Sequence, residues 1–199
     1  DQHGGQSLPA FDYFMAPGVL KTFKKQFKQT VYDFLELTDF IKFIAINGIT
    51  REIDKLTSIE FGNFDTSSVT NMISAFRDCK KLSSIDVSSF NTTNTETMLQ
   101  LFSGCESLEK IDISTFNMNG STTENVTNMG GMFDSCTNLI EINLGKLNTT
   151  NVKNMSQMFS GCSSLETIDL TSFNTANVEK MNNMFRSCTN LNKLDLRTF

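Results

Sequence analysis

The chain repeats a unit of about 26 residues. Its five cysteines are spaced by 26, 31, 26 and 26 residues, and the interval of 31 is the same unit with five residues inserted, around 119–123. A fixed period of this length is the signature of a solenoid, in which each coil buries its apolar face against the next coil. The chain therefore predicts an extended surface and not a closed pocket. The five cysteines are Cys79, Cys105, Cys136, Cys162 and Cys188.

Each repeat has three parts. It opens with a segment such as LSSIDV (82–87), whose alternating polar and apolar residues predict a half-buried strand. A corner follows, with an Asn such as Asn91 that suits a turn. The third part, such as VEKMNNMFRSC (178–188), spaces its apolar residues by three and four, which predicts a short amphipathic helix. We expect the apolar corner residues to stack from coil to coil; these are Phe64, Phe90, Phe116, Leu147, Phe173 and Phe199.

The chain divides into an N-terminal segment, 1–55, and a repeat array of five to six coils, 56–199. Apolar residues at helical spacing follow Pro17, with lysines between them, and predict a helix that caps the first coil. A basic amphipathic helix could also lie on a membrane, so that alternative stays open. The sequence stops at a corner, Phe199, where the pattern predicts another coil, so we expect a fragment of a longer array. The insertion predicts a local loop or, alternatively, a loop that contacts a partner.

Composition excludes several functions. The net charge is −5, and residues 56–199 hold ten basic and fifteen acidic side chains, so nucleic acid is not an expected partner. No apolar run is long enough to span a membrane. The single histidine, His3, lies in a glycine-rich start, so the repeats cannot supply an imidazole for a catalytic triad or for a zinc site. We therefore expect no enzyme, no catalytic residue, no metal and no cofactor.

The cysteines and methionines recur in fixed slots of the repeat. Five is an odd number, so the cysteines cannot all pair within the chain. We interpret them as a stacked column of buried thiols, with disulfides between neighbouring coils and metal ligation as alternatives. Methionine pairs such as Met155 and Met158 could bind copper(I), but their helical spacing favours core packing.

The polar residue near the end of each strand forms a column that we call the strand-end column. At a strand spacing of about 4.8 Å, neighbouring carboxylates repel, so flanking hydroxyls and cations are expected to offset the charge. The alternatives are a binding stripe for a basic or polar partner and a string of cation sites. The binding-stripe hypothesis also includes Lys110 and Lys193 in the flanking row. The strand-end column comprises Glu60, Asp86, Asp112, Asn143, Asp169 and Asp195.

Across 56–199 the repeat follows the pattern F-D/N-T-x-x-V-x-x-M-x-x-M-F-x-x-C-x-x-L-x-x-I/L-D/N-I/V/L-S/T. This pattern closely resembles the BspA-like leucine-rich repeats of bacterial surface proteins, which also occur in mycoplasma lipoproteins. The resemblance implies a right-handed leucine-rich-repeat solenoid displayed outside the cell or on its surface. It supplies no catalytic residues. The insertion, Leu147 and Gly145 depart from the pattern.

The expected function is a non-enzymatic cell-surface adhesion module. Its partner would be a protein or a glycan on host or neighbouring cells, bound through the sheet face and loops. Two alternatives remain: a structural spacer without a ligand, and an intracellular scaffold. The sequence does not predict the oligomeric state.

Overall fold

The structure is a computed structural model of the chain, and it describes residues 57–59, 61, 66–67, 69–116, 126–145 and 147–199. The predicted capping helix in 1–55, the insertion at 119–123 and Glu60 all lie outside these residues. The predicted corner residue Phe64 lies outside them as well. The description below concerns the repeat array.

Four short strands lie at equivalent positions of successive coils: β1 (Ser58–Ile59), β2 (Ser84–Ile85), β3 (Lys110–Asp112) and β4 (Glu141–Asn143). β1 pairs with β2 and β3 pairs with β4, both in parallel, which confirms the predicted parallel pairing of the coils. The inward residues Ile85 and Val87 are buried and their neighbours Ser84 and Asp86 are exposed, as the alternation predicts. A turn begins at the polar residue that ends β3 and β4 and at Asp86, which directly follows β2, and these turns keep the strands short.

A second column of parallel bridges runs through the coils, and the sequence analysis did not predict it. It joins Asn71 to Thr97, Thr97 to Asn128, Asn128 to Asn154 and Asn154 to Lys180. The asparagines also pair through their side chains, since the Asn154 amide donates to Asn128 Oδ1 at 3.0 Å. The coils are therefore joined by backbone hydrogen bonds at two places in each turn of the solenoid.

The predicted helix in each coil is wrong for the described coils, where this segment forms consecutive turns. In the first coil the N–H groups of alternate residues donate to carbonyls of the next coil, as from Ser74 to Leu99 and from Phe76 to Leu101, both at 2.9 Å. Ser74 also has a φ of 55°, in the left-handed region that an α-helix excludes. Amides that bond along the stack cannot also close helical turns.

The apolar spacing of three and four nevertheless has a physical origin. Several apolar residues close a turn by donating to the carbonyl three residues earlier, as Val69 does to Thr66 at 3.0 Å and Leu82 does to Cys79 at 3.0 Å. Each such closure returns an apolar side chain to the interior. A series of such turns therefore places apolar residues along the sequence at nearly the same spacing as one face of a helix does.

Two aromatic columns fill the core. The predicted corner column is confirmed where rings are present, with Phe90 and Phe116 parallel at 6.3 Å and Phe173 and Phe199 likewise at 6.3 Å; Leu147 interrupts it. The sequence analysis did not predict a second column of nearly parallel rings. Their centroids lie 5.4 to 5.8 Å apart along Phe76, Phe102, Phe133, Phe159 and Phe185.

The five cysteines are free thiols in one column, which confirms the predicted column and excludes the disulfide alternative in this structure. Four are buried and Cys188 is half-buried. Beyond filling space, four of the thiols donate to the carbonyl of the phenylalanine in the preceding coil. The Sγ–O distances are 3.1 Å from Cys105 to Phe76, 3.2 Å from Cys136 to Phe102, 3.2 Å from Cys162 to Phe133 and 3.0 Å from Cys188 to Phe159.

Buried threonines join the corners of successive coils. The Thr149 hydroxyl donates to the Asn174 carbonyl at 2.9 Å and accepts from the Asn174 N–H at 2.7 Å. Thr66 makes the same pair of bonds with Asn91, at 2.9 Å and 2.6 Å. One side-chain hydroxyl thus satisfies both backbone groups of a residue in the next coil, at a corner where no strand ladder is present.

Candidate interaction surface

The described part of the strand-end column lies on the solvent side of the sheet. The parallel register places Asp112 directly beside Asn143, and their side chains are joined by a hydrogen bond of 2.9 Å from the Asn143 amide to Asp112 Oδ2. Asp86, Asp112, Asn143 and Asp169 are exposed and Asp195 is half-exposed. Glu60, the first member of the column, lies outside the described residues. The strand register places Asp112 beside Asn143, and the other three described members occupy the equivalent exposed or half-exposed slot of their own coils.

Each described member of the column closes a turn of its own backbone. The Oδ1 atom accepts the N–H group of the residue two positions later, which is an Asx turn. This turn ends the strand, and it explains why the slot holds only Asp or Asn in these coils. The Oδ1–N distances are 2.9 Å for Asp86, 2.8 Å for Asp112, 3.1 Å for Asn143, 2.9 Å for Asp169 and 3.1 Å for Asp195.

These hydrogen bonds favour the charged form of the carboxyl groups. The hydroxyl and then the N–H of Ser88 lower the pKa of Asp86, and Thr171 lowers the pKa of Asp169 in the same way. Hydrogen bonds from Arg197 lower the pKa of Asp195 to about 2. The column therefore presents ionised carboxylates at neutral pH.

The expected offset of the charge comes mainly from one flanking row, and the charge of Lys193 in the other row also lowers the pKa of Asp195. In the first row, the carboxylates accept hydrogen bonds from the hydroxyls of Ser88, Ser114 and Thr171 and from the guanidinium of Arg197. Lys110, in the other row, forms an ion pair of 2.7 Å with Glu141 of the next coil. Both side chains are exposed, so solvent screens this pair and it adds little to the stability of the fold.

The second predicted lysine, Lys193, is exposed and lies beside Thr167 in a parallel bridge. Asn143 adds no charge to the column, so the carboxylates do not form an unbroken series across the described coils. Cations and a neutral residue thus divide the charge of this face into separate positions.

A shallow hollow of about 540 Å³ opens beside the strand-end column, and the sequence analysis did not predict it. It is lined by Gly145, Asn148, Asp169, Thr171 and Ser172. The signal that could have revealed it is Gly145, since the equivalent slot of the other described coils holds a side chain. These side chains belong to Ser88, Ser114, Thr171 and Arg197.

Among the described residues, the arrangement offers hydrogen-bond acceptors and negative charge. Burial raises the pKa of the Cys136 thiol to about 12, and it also raises the pKa of Cys162. Such thiols stay protonated and unreactive at neutral pH. Within the described ranges, no three His, Cys, Asp or Glu side chains converge as metal ligands would. None of the described segments forms a helix long and apolar enough to cross a membrane.

The described coils repeat about every 26 residues, run parallel and are joined by strand bridges. Leucine, phenylalanine and cysteine side chains fill their core in columns. These features define a protein of the leucine-rich-repeat type. The chain belongs to the family described as "Mycoplasma protein of unknown function, DUF285", whose model matches residues 44–122 and 117–198. This assignment confirms the resemblance to BspA-like leucine-rich repeats. No curated protein matches the chain.

Three solved structures of bacterial repeat proteins are similar to the chain. A leucine-rich repeat protein from Eubacterium ventriosum has 21% identity and a TM-score of 0.39, over 61% of this chain and 28% of that one. One from Bacteroides ovatus has 23% identity and a TM-score of 0.39, over 72% and 38%. A leucine rich cell surface protein from Faecalibacterium prausnitzii has 18% identity and a TM-score of 0.33, over 62% and 35%. The chain thus covers well under two thirds of each of these proteins.

Proposed function

We propose that the chain is a non-enzymatic interaction module that binds a protein partner through the sheet face that carries the strand-end column. The observation that carries the proposal is the exposed set of ionised carboxylates, each held in position by its own Asx turn. Groups that are already ordered lose little conformational entropy when a partner binds. The BspA-like resemblance adds the hypothesis that the module is displayed at a cell surface, where host or neighbouring cells supply the partner.

The charge of the chain also bears on the kind of partner. A face with negative charge attracts basic surfaces and raises the rate of encounter with them. A protein with exposed arginine or lysine side chains therefore fits this face. A glycan remains the alternative ligand, since hydroxyl and amide groups flank the column.

A structural spacer is the second candidate function, and one observation favours it. The Asx turns account for Asp and Asn in the strand-end column without any ligand, because these residues are the ones that close such a turn. A spacer would need the turns and not the charge. A binding face would need both.

Substitution of Asp by Asn separates these two candidates. Asn143 shows that an amide fits the slot and closes the same turn, so the variant Asp86→Asn, Asp112→Asn, Asp169→Asn should keep the fold and lose three negative charges. The control variant Glu96→Gln, Glu106→Gln, Glu179→Gln changes the net charge equally at positions outside the column.

Binding of the fluorescently labelled chain to intact epithelial and bacterial cells would be measured by flow cytometry. A binding face predicts a loss of several-fold for the aspartate variant, a small change for the control, and weaker binding at high salt. Equal binding by the two variants, or binding no stronger than that of an unrelated labelled protein, would refute the proposal.

A further inference from the structure

We draw no further inference here: the strongest candidate, the open apolar face of the last coil around Leu194, Leu196 and Phe199, is an unpartnered face, and nothing in the structure shows what covers it.

Discussion

The hydroxyl of Thr149 provides a direct measure of how strongly the corners join the coils. The side chain is fully buried, with an exposed fraction of 0%, and makes two hydrogen bonds to the backbone of Asn174 at 2.9 Å and 2.7 Å. Thr149→Val replaces the hydroxyl by a methyl group of similar size. The substitution therefore removes both bonds without opening a cavity.

The expected loss follows from these two bonds. A typical hydrogen bond contributes about 1 kcal/mol net, so two would contribute about 2 kcal/mol if the Asn174 backbone stayed dry. Asn174 is exposed, and water can reach part of its backbone, so we expect a decrease of about 1 to 2 kcal/mol in the free energy of unfolding. For a protein of this size, that corresponds to a decrease of roughly 3 to 6 °C in Tm.

The assay combines urea unfolding, followed by circular dichroism, with hydrogen exchange of the Asn174 amide. Exchange is included because a repeat array can open locally without unfolding completely. The matched control is Thr150→Val, an exposed threonine next in the chain, for which we expect a change within about 0.5 kcal/mol. If the two variants were equally stable and Asn174 exchanged at the wild-type rate in both, the account of the corner would be wrong.

Two further predictions follow from the pKa shifts. In the folded protein at pH 8, a thiol reagent such as DTNB should react first with half-buried Cys188. Cys105, Cys136 and Cys162 should react only as fast as the chain opens, because they are buried and their pKa values are raised. Five equal reaction rates without denaturant would contradict this prediction. The pKa values of Asp86, Asp112 and Asp169 are lowered in the folded state, so their stabilising effect is complete above the unfolded pKa of about 4 and is lost as pH falls through the folded pKa values. The urea midpoint of the triple Asp→Asn variant should therefore approach that of the wild type as the pH falls from about 5 to about 2. If the difference between the two midpoints stayed constant over this range, the three aspartates would not have lowered pKa values in the folded state.

The repeat period and the strand alternation predicted much of the fold correctly. Spacing identified the column of Cys79 to Cys188, and alternation identified which strand residues face the core, as Ile85 and Asp86 show. The predicted helices failed for a definite reason. An apolar spacing of three and four residues shows how often the chain directs a side chain into the core. Consecutive turns do this at nearly the same interval as a helix. Only hydrogen-bond directions distinguish the two, and these involve residues in the next coil.

The positions of the candidate residues were predicted in part, and their role in binding stays a prediction. The sequence placed Asp86, Asp112, Asn143, Asp169 and Asp195 in one column, and the described structure has them on one face. Their role in closing Asx turns was not predicted, although Asp and Asn share that property. The hollow was missed although Gly145 departs from the pattern of its slot, because its lining comes from two coils and no local pattern encodes how they pack.

The period of the sequence by itself determined that coils stack, which side chains enter the core, and which polar slots line up. It could do so because a repeat places equivalent residues in register whatever the path of the chain between them. The tertiary structure alone decided that the amides of Met72, Ser74, Phe76 and Asp78 bond along the stack, and that Thr149 joins two corners. Each of these depends on the distance and direction between atoms of neighbouring coils, which exist only once the coils have packed.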